Sequence, residues 1–249
     1  MEDLIVNIRN LLVISLTFVC IGFVGCSSSE PTHFGRAAQM SGGLFNQFSS
    51  PVQQEDVSAL KKACKSGNSD YLCLALKYVV FKNANDEPTV RQSAAIANLG
   101  SINELWKQCH VGFDISEYEA VDPRDYGLRY QTANDNELYA IRRAFNDRSH
   151  MLVVTTGTWD RSGSLGSTGA NAWTSMPGEG VYGVVMEKPV GTFPNIIAHE
   201  LGHYMSLEHV GNAVNLMNPL IYNNSRQLTQ YQCAAVRRAV SEYWQKMLL

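Results

Sequence analysis

The sequence predicts an α+β domain in which helices back a β-sheet. Short runs rich in β-branched and aromatic residues, such as Tyr78–Phe81 and His150–Thr156, alternate with longer segments whose apolar residues recur at helical spacing. The 249 residues are 45% hydrophobic, which suits one soluble domain with a real core, plus appendages. The formal net charge is −3 and no basic block occurs, which argues against a nucleic-acid partner.

Residues 1–25 are predicted to be a signal peptide. The uncharged run Leu11–Val24 ends just before Cys26, which resembles a bacterial lipoprotein signal whose cysteine is lipidated after cleavage. We therefore expect a lipid on Cys26 to anchor the protein to a membrane of the cell envelope, outside the cytoplasm. The alternative is an uncleaved membrane anchor, for which Leu11–Val24 is short and an extension to Leu4 would bury Arg9.

The next segment, residues 26–52, has the serine-, glycine- and proline-rich composition of a flexible linker. As a flexible coil it would span about 30 Å, enough to hold a domain away from a membrane surface. Residues 53–249 are then predicted to form the folded domain.

The first half of this domain is predicted from apolar periodicity and helix-start signals. Gln53–Lys65 is expected to be a short helix, and Leu72–Asn83 contains the first strand. Pro88–Gln108 is predicted to be an amphipathic helix with Trp106 in the core. Asn134–Phe145 is a further predicted helix, and His150–Thr156 a buried strand.

The second half begins with Thr155–Asn171, which is rich in glycine, serine and threonine and is predicted to be a loop. Near the C-terminus, Thr229 and Gln232 form a capping-box pattern that opens a last helix through Met247. Its apolar residues are expected on or near the buried side: Tyr231, Ala234, Ala235, Val236, Val240 and Trp244.

The candidate chemistry lies in Asn195–Pro219. His199 and His203 are one helical turn apart on one face, so their imidazoles can reach one zinc ion at about 2.0–2.1 Å. Glu200 is offset about 100° from His199, where it can act as general base on a metal-bound water without ligating the metal. His209 would lie about 15 Å along a straight helix from His199, so it becomes a ligand only if the chain turns back after His203.

The segment HELGHYMSLEH resembles the signature HExxHxxGxxH of the metzincin zinc metalloproteases, with Ser206 where the family has glycine. Met217, in the sequence Leu216–Pro219, resembles the methionine turn of that family, at a distance from His209 similar to the matrixin branch. This resemblance implies that His199, His203 and His209 hold one catalytic zinc. It also implies that Glu200 is the general base.

The resemblance covers roughly residues 72–249 and implies the metzincin-like zincin fold, a mixed twisted sheet backed by helices, with an active-site helix and a C-terminal helix. It implies that Asn171–Ser175 is an edge strand along the substrate cleft, and that Leu220–Gln227 walls the pocket just beyond the scissile bond. Val184–Met186 replaces the pattern that holds the matrixin structural zinc, so we expect no second zinc.

Ser206 is the one departure inside the signature. If the helix ends there, Ser206 needs a positive φ, which costs a residue with a Cβ atom roughly 1–2 kcal/mol. Either the chain still turns at Ser206, or the turn shifts and Glu208 or water replaces His209 as ligand. We expect the first, because His209 and Met217 keep their family positions.

Four of the six cysteines lie outside the signal and lipid positions: Cys64, Cys73, Cys109 and Cys233. An even set in an oxidising compartment favours two disulfides, with three possible pairings. We favour Cys64–Cys73 and Cys109–Cys233, which would join elements expected to be neighbours. The alternative is buried free thiols.

These features predict a membrane-anchored, extracytoplasmic zinc endopeptidase that hydrolyses peptide bonds of a peptide or protein substrate with a Glu200-activated, zinc-bound water. The alternative is a non-catalytic, zinc-stabilised surface protein that binds a partner in its cleft. Glu200 favours the enzyme, because a structural zinc site needs no base and is usually closed by a fourth protein ligand.

Overall fold

The computed structural model of the chain describes Cys64 and residues 70–249. Several predicted features lie outside these residues: the signal peptide 1–25, the lipid-bearing Cys26, the linker 26–52 and, apart from Cys64, the helix Gln53–Lys65. Among the described residues, no helix has the length and apolar character needed to cross a bilayer.

Five strands and five α-helices make up the described part of the chain. The strands are β1 (Leu72–Phe81), β2 (Val111–Val121), β3 (Met151–Thr156), β4 (Ala172–Ser175) and β5 (Gly183–Glu187). The α-helices are α1 (Gln92–Trp106), α2 (Asp135–Phe145), α3 (Ser164–Thr168), α4 (Pro194–Tyr204) and α5 (Gln230–Tyr243). Short 3₁₀ turns follow or connect them: Lys107–Cys109, Pro123–Tyr126 and Gln245–Met247.

The strands form one mixed sheet in the order β2-β1-β3-β5-β4. Four neighbouring strands run parallel, and β4 lies at the edge, antiparallel to β5. Because strand side chains alternate between faces, Tyr78 and Val80 enter a core shared with α1, α4 and α5, whereas Val79 and Phe81 enter a second core beneath α2. The predicted α+β class, with a mixed sheet between helices, an active-site helix and a C-terminal helix, is confirmed.

Helix α1 begins later than predicted. Pro88 was expected to open it, but the segment before Gln92 turns back along the end of β1, where Pro88 bridges Lys82. The Thr89 amide donates to the Phe81 carbonyl oxygen at 2.9 Å, so this backbone is engaged with the sheet and the helix starts only beyond it. Trp106 is fully buried, as predicted.

The prediction that Thr155–Asn171 is a continuous loop is wrong, because this segment contains the short helix α3. The Leu165 amide donates to the Ala133 carbonyl oxygen at 3.1 Å, which ties α3 to the chain just before α2. A Cβ atom at Gly163 would lie 2.3 Å from that same oxygen, so only glycine allows this approach. The contact of α3 with Ala133 joins residues that are far apart in the sequence, so the local composition of the segment could not predict the helix.

The predicted capping box at the start of α5 is confirmed, with reciprocal hydrogen bonds between Thr229 and Gln232. The α-helix ends at Tyr243, and the expected end at Met247 lies in a 3₁₀ turn. Tyr231 and Ala234 were wrongly placed near the buried side: Tyr231 is 90% exposed. It precedes the buried Val236 by five residues, which rotates it about 140° around the helix, away from the core.

Both favoured disulfide pairings are confirmed. Cys64 and Cys73 have Cα atoms 5.5 Å apart, and Cys109 and Cys233 have Cα atoms 4.8 Å apart. The second disulfide joins the turn after α1 to the first turn of α5 and so holds these two helices together across the core that lies beneath α4.

The two disulfides are predicted to contribute unequally to stability. Their sequence separations of 124 and 9 residues correspond to about 5 and about 3 kcal/mol of lost unfolded-state entropy. Replacing both Cys109 and Cys233 by alanine should therefore lower the free energy of unfolding, measured in urea, more than replacing Cys64 and Cys73. An equal or smaller loss for the Cys109/Cys233 variant would contradict this ranking.

Candidate active site

Helix α4 carries the predicted site and is buried along most of its length. Pro194 occupies its first turn, where no amide donor is needed. Ile197, Ala198 and Leu201 pack into the core, and the Tyr204 carbonyl oxygen accepts from the Trp244 ring nitrogen at 3.1 Å. The face that carries the histidines is thus fixed by apolar packing on the remaining sides of the helix.

The chain turns back immediately after this helix. Ser206 has φ +69°, the left-handed conformation that the sequence required at this position. The Ser206 amide donates to the His203 carbonyl oxygen and the Leu207 amide to the Gly202 carbonyl oxygen, each at 2.9 Å. These two bonds form a Schellman cap, so the prediction that the turn stays at Ser206 is confirmed.

This turn brings the third histidine back to the first two. The Nε2 atom of His203 lies 3.0 Å from that of His199 and 3.2 Å from that of His209. The His199–His209 distance is 3.3 Å. Nitrogens bound tetrahedrally to one zinc at about 2.0–2.1 Å would be about 3.3 Å apart, so the three histidines form a group that could hold a metal ion.

Backbone carbonyl groups set the tautomers of two of these rings. The Nδ1 atom of His199 lies 2.8 Å from the Leu216 carbonyl oxygen, and that of His203 lies 2.6 Å from the Leu207 carbonyl oxygen. A carbonyl oxygen can only accept, so each Nδ1 carries the proton and each Nε2 keeps its lone pair. Burial lowers the pKa of His199 to about 3 and that of His203 well below its usual value, which keeps both rings neutral.

Met217 is fully buried. Its amide donates to Asn215 Oδ1 at 2.9 Å, and its carbonyl oxygen accepts from the Val210 amide at 2.8 Å. A Cβ atom at Gly202 would lie only 2.4 Å from the Met217 sulfur. The glycine within the signature therefore allows the methionine turn to pack directly against α4.

Glu200 is buried on the side of α4 that faces β4. Its Oε2 atom accepts a hydrogen bond from the Thr174 hydroxyl at 2.5 Å. Burial raises the pKa of Glu200 to about 7, against the opposing effects of the Thr174 hydrogen bond and the Arg142 charge. A carboxyl group with this pKa can accept and release a proton near neutral pH.

Two residues at this site were not identified from the sequence. Thr174 was placed along the cleft without a role, and Arg142 was not considered. The sequence did carry a signal for Arg142, because it follows Leu138 by four residues and precedes Phe145 by three, and so falls on the apolar stripe of α2. A cation at such a position has to find acceptors in the interior.

The segment Leu220–Gln227, predicted as a pocket wall, is held close to the start of α4. Asn195 Nδ2 donates to the Tyr222 carbonyl oxygen at 3.2 Å. At the far end, the Gln227 carbonyl oxygen accepts from the Leu216 amide at 2.8 Å. The segment is therefore tied through its main-chain oxygens to α4 and to Leu216.

A second group of potential metal ligands is present on the surface of the described part: Glu117, Asp147 and His150. Lys77 Nζ lies 3.1 Å from Glu117 Oε2, so a positive charge is already in place there. We assign no metal to this group.

Comparisons with known proteins were made for both sequence and fold. No family model and no curated protein matches the sequence. Among solved structures, the chain is similar to metalloproteinase-II from Bacteroides fragilis, with a TM-score of 0.43 and 14% identity over 72% of this chain and 60% of that one. It is also similar to archaemetzincin from Methanopyrus kandleri, with a TM-score of 0.47 and 10% identity over 70% of this chain and 98% of that one. At such values neither likeness assigns an activity.

Gly202→Ala is predicted to weaken metal binding. The added Cβ atom displaces the Met217 sulfur, and such overpacking costs about 1–3 kcal/mol, partly offset by the helix propensity of alanine, about 1 kcal/mol. Zinc affinity, measured by competition with a chelator, should fall. Gly211→Ala is the matched control, because a Cβ atom there meets nothing within 4 Å. Equal affinities in the two variants would contradict the packing argument.

Ser206→Gly is predicted to preserve metal binding and to leave stability equal or about 1 kcal/mol higher, since relief of the left-handed strain is partly offset by the backbone entropy of glycine. His209→Ala, in contrast, should greatly weaken zinc binding. Urea unfolding and metal titration of both variants measure these effects. A His209→Ala protein that holds zinc as tightly as the parent would remove the third ligand.

Proposed function

We propose that this protein is a zinc-dependent endopeptidase. The observation that carries the proposal is the convergence of three histidine Nε2 atoms, 3.0–3.3 Å apart, beside the buried carboxyl group of Glu200. Neutral imidazoles suit zinc, and sites with three protein ligands and one open position are typical of catalytic zinc. His199, His203 and His209 would hold the ion.

The chemistry then divides between the ion and the chain. When bound, zinc supplies a Lewis acid that lowers the pKa of water toward about 7 and polarises a peptide carbonyl. Glu200 would take a proton from the attacking water and deliver it to the leaving nitrogen, a task suited to a carboxyl group buried beside the three histidines. His199 and His203 stay neutral because burial disfavours their charged forms.

The surroundings of the site support a polypeptide substrate. Strand β4 is the edge of the sheet and is packed beside α4, so an extended peptide can add to it as a further strand. The segment Leu220–Gln227 lies near the start of the same helix and would border the pocket for the side chain beyond the scissile bond. We therefore propose cleavage within extended segments of peptides or proteins.

We also propose that the enzyme works outside the cytoplasm, held by a lipid on Cys26. The uncharged run before Cys26 supports this, and two disulfides in the described part suit an oxidising compartment. Cys26→Ser should release the protein from membranes or block its processing. Membrane fractionation that finds the variant on membranes at the normal mature size would rule out this anchor.

The enzymatic proposal predicts about one zinc per chain and loss of peptide cleavage after chelation. Glu200→Ala should keep its zinc and lose about 10²–10⁴-fold in turnover, because the carboxylate acts on protons and does not bind the metal. Elemental analysis and a cleavage profile on a proteome-derived peptide mixture provide the two measurements.

The control for this test is Glu208→Gln, at an exposed glutamate in the segment that follows α4. It should retain both zinc and turnover. If Glu200→Ala cleaves as fast as the parent, Glu200 is not the general base. If the parent itself shows no zinc-dependent cleavage, the zinc-stabilised binding protein becomes the better interpretation.

A further inference from the structure

Strand β4, which lies at the edge of the sheet in the described part of the chain, also contributes a side chain to the centre of the site. Thr174 is buried, and its hydroxyl lies 2.5 Å from Glu200 Oε2 and 3.3 Å from the Glu200 carbonyl oxygen. A hydroxyl has one proton to donate, and the shorter distance and the greater charge both favour the carboxylate. The hydrogen bond therefore fixes one oxygen of Glu200 and leaves Oε1 for the reacting proton.

The strand that carries Thr174 is itself fixed by a buried cation. Arg142 donates from Nη2 to the Trp173 carbonyl oxygen and from Nε to the Gly183 carbonyl oxygen, each at 2.8 Å. These acceptors lie on β4 and on β5, next to the residue pair Thr174–Val184. Arg142 thus joins the main chains of the two strands at the place where the Thr174 hydroxyl has to meet Glu200.

We propose that Thr174 is a positioning residue for the general base, and that Arg142 holds β4 in the register that this contact needs. The inference rests on the proposed function, because Glu200 acts as base only in the endopeptidase. It adds a role for the edge strand: the strand that would bind the substrate main chain also orients the carboxylate that acts on it. Substrate binding and base orientation are thereby coupled in one element.

The first test compares two substitutions at Thr174 in the zinc-loaded, full-length chain. Thr174→Val keeps the branched shape and removes the donor, whereas Thr174→Ser keeps the donor. A hydrogen bond to a charged group corresponds to roughly a ten- to hundredfold effect, so Thr174→Val should lower kcat by about that factor with KM and zinc content unchanged. The kcat of Thr174→Ser should stay within a few-fold of that of the parent. A purely structural role of the side chain does not predict this difference between serine and valine.

The second test does not depend on turnover. Urea unfolding midpoints of the zinc-loaded parent, Thr174→Val, Glu200→Ala and the double variant form a double-mutant cycle. Loss of the hydroxyl should lower the midpoint more when Glu200 is present than when alanine replaces it, because only the glutamate leaves a buried carboxylate oxygen without its donor.

The outcomes separate this proposal from the one on which it rests. A parent chain without zinc-dependent cleavage overturns the proposed function. A parent that cleaves, together with a Thr174→Val variant that keeps kcat or a Thr174→Ser variant that loses as much as valine, overturns the positioning role alone. Additive unfolding midpoints in the cycle would also overturn it.

Discussion

The site depends on one change of chain direction, at the end of helix α4. A helix end leaves carbonyl groups without partners, and here the amides of Ser206 and Leu207 supply partners while the chain reverses. The Leu207 carbonyl oxygen then accepts from the His203 ring, so the residue that caps the helix also fixes a histidine tautomer. Without this reversal His209 would lie far along the helix axis, and His199 and His203 would have no third histidine beside them.

A second buried group fixes the approach to the edge strand. Glu187, at the end of β5, accepts from the Trp159 amide at 2.8 Å, from Arg161 at 2.5 Å and from the Asn171 side chain. Its donors thus span the segment from Trp159 to Asn171, which leads directly into β4. A buried carboxylate is tolerated only with such a set of donors. The network therefore supplements the buried side chains of Trp159 and Leu165 in holding a segment that is otherwise rich in glycine, serine and threonine.

The sequence was most informative where a short segment carries the signal. The return of His209 to His199 was predicted from the resemblance of residues 199–209 to the metzincin signature, together with the turn required at Ser206. Contacts between distant residues were harder to predict, although the Cys109–Cys233 pair was foreseen. The start of α1 could not be predicted, since it depends on how the preceding segment pairs with β1. The contact between Thr174 and Glu200 joins residues 26 positions apart, and only the folded sheet brings them together.

The wall segment Leu220–Gln227 is held almost entirely by contacts to its main chain. Asn195 and Gln108 reach the carbonyl oxygens of Tyr222 and Arg226, and of the side chains within the segment, Ser225 returns a hydrogen bond, to the Ala213 carbonyl oxygen. Because main-chain contacts do not depend on side-chain identity, the remaining side chains are free to diversify while the path of the backbone is kept. If this segment borders the substrate pocket as proposed, selectivity there can therefore change by substitution alone, without insertions, deletions or a loss of fold.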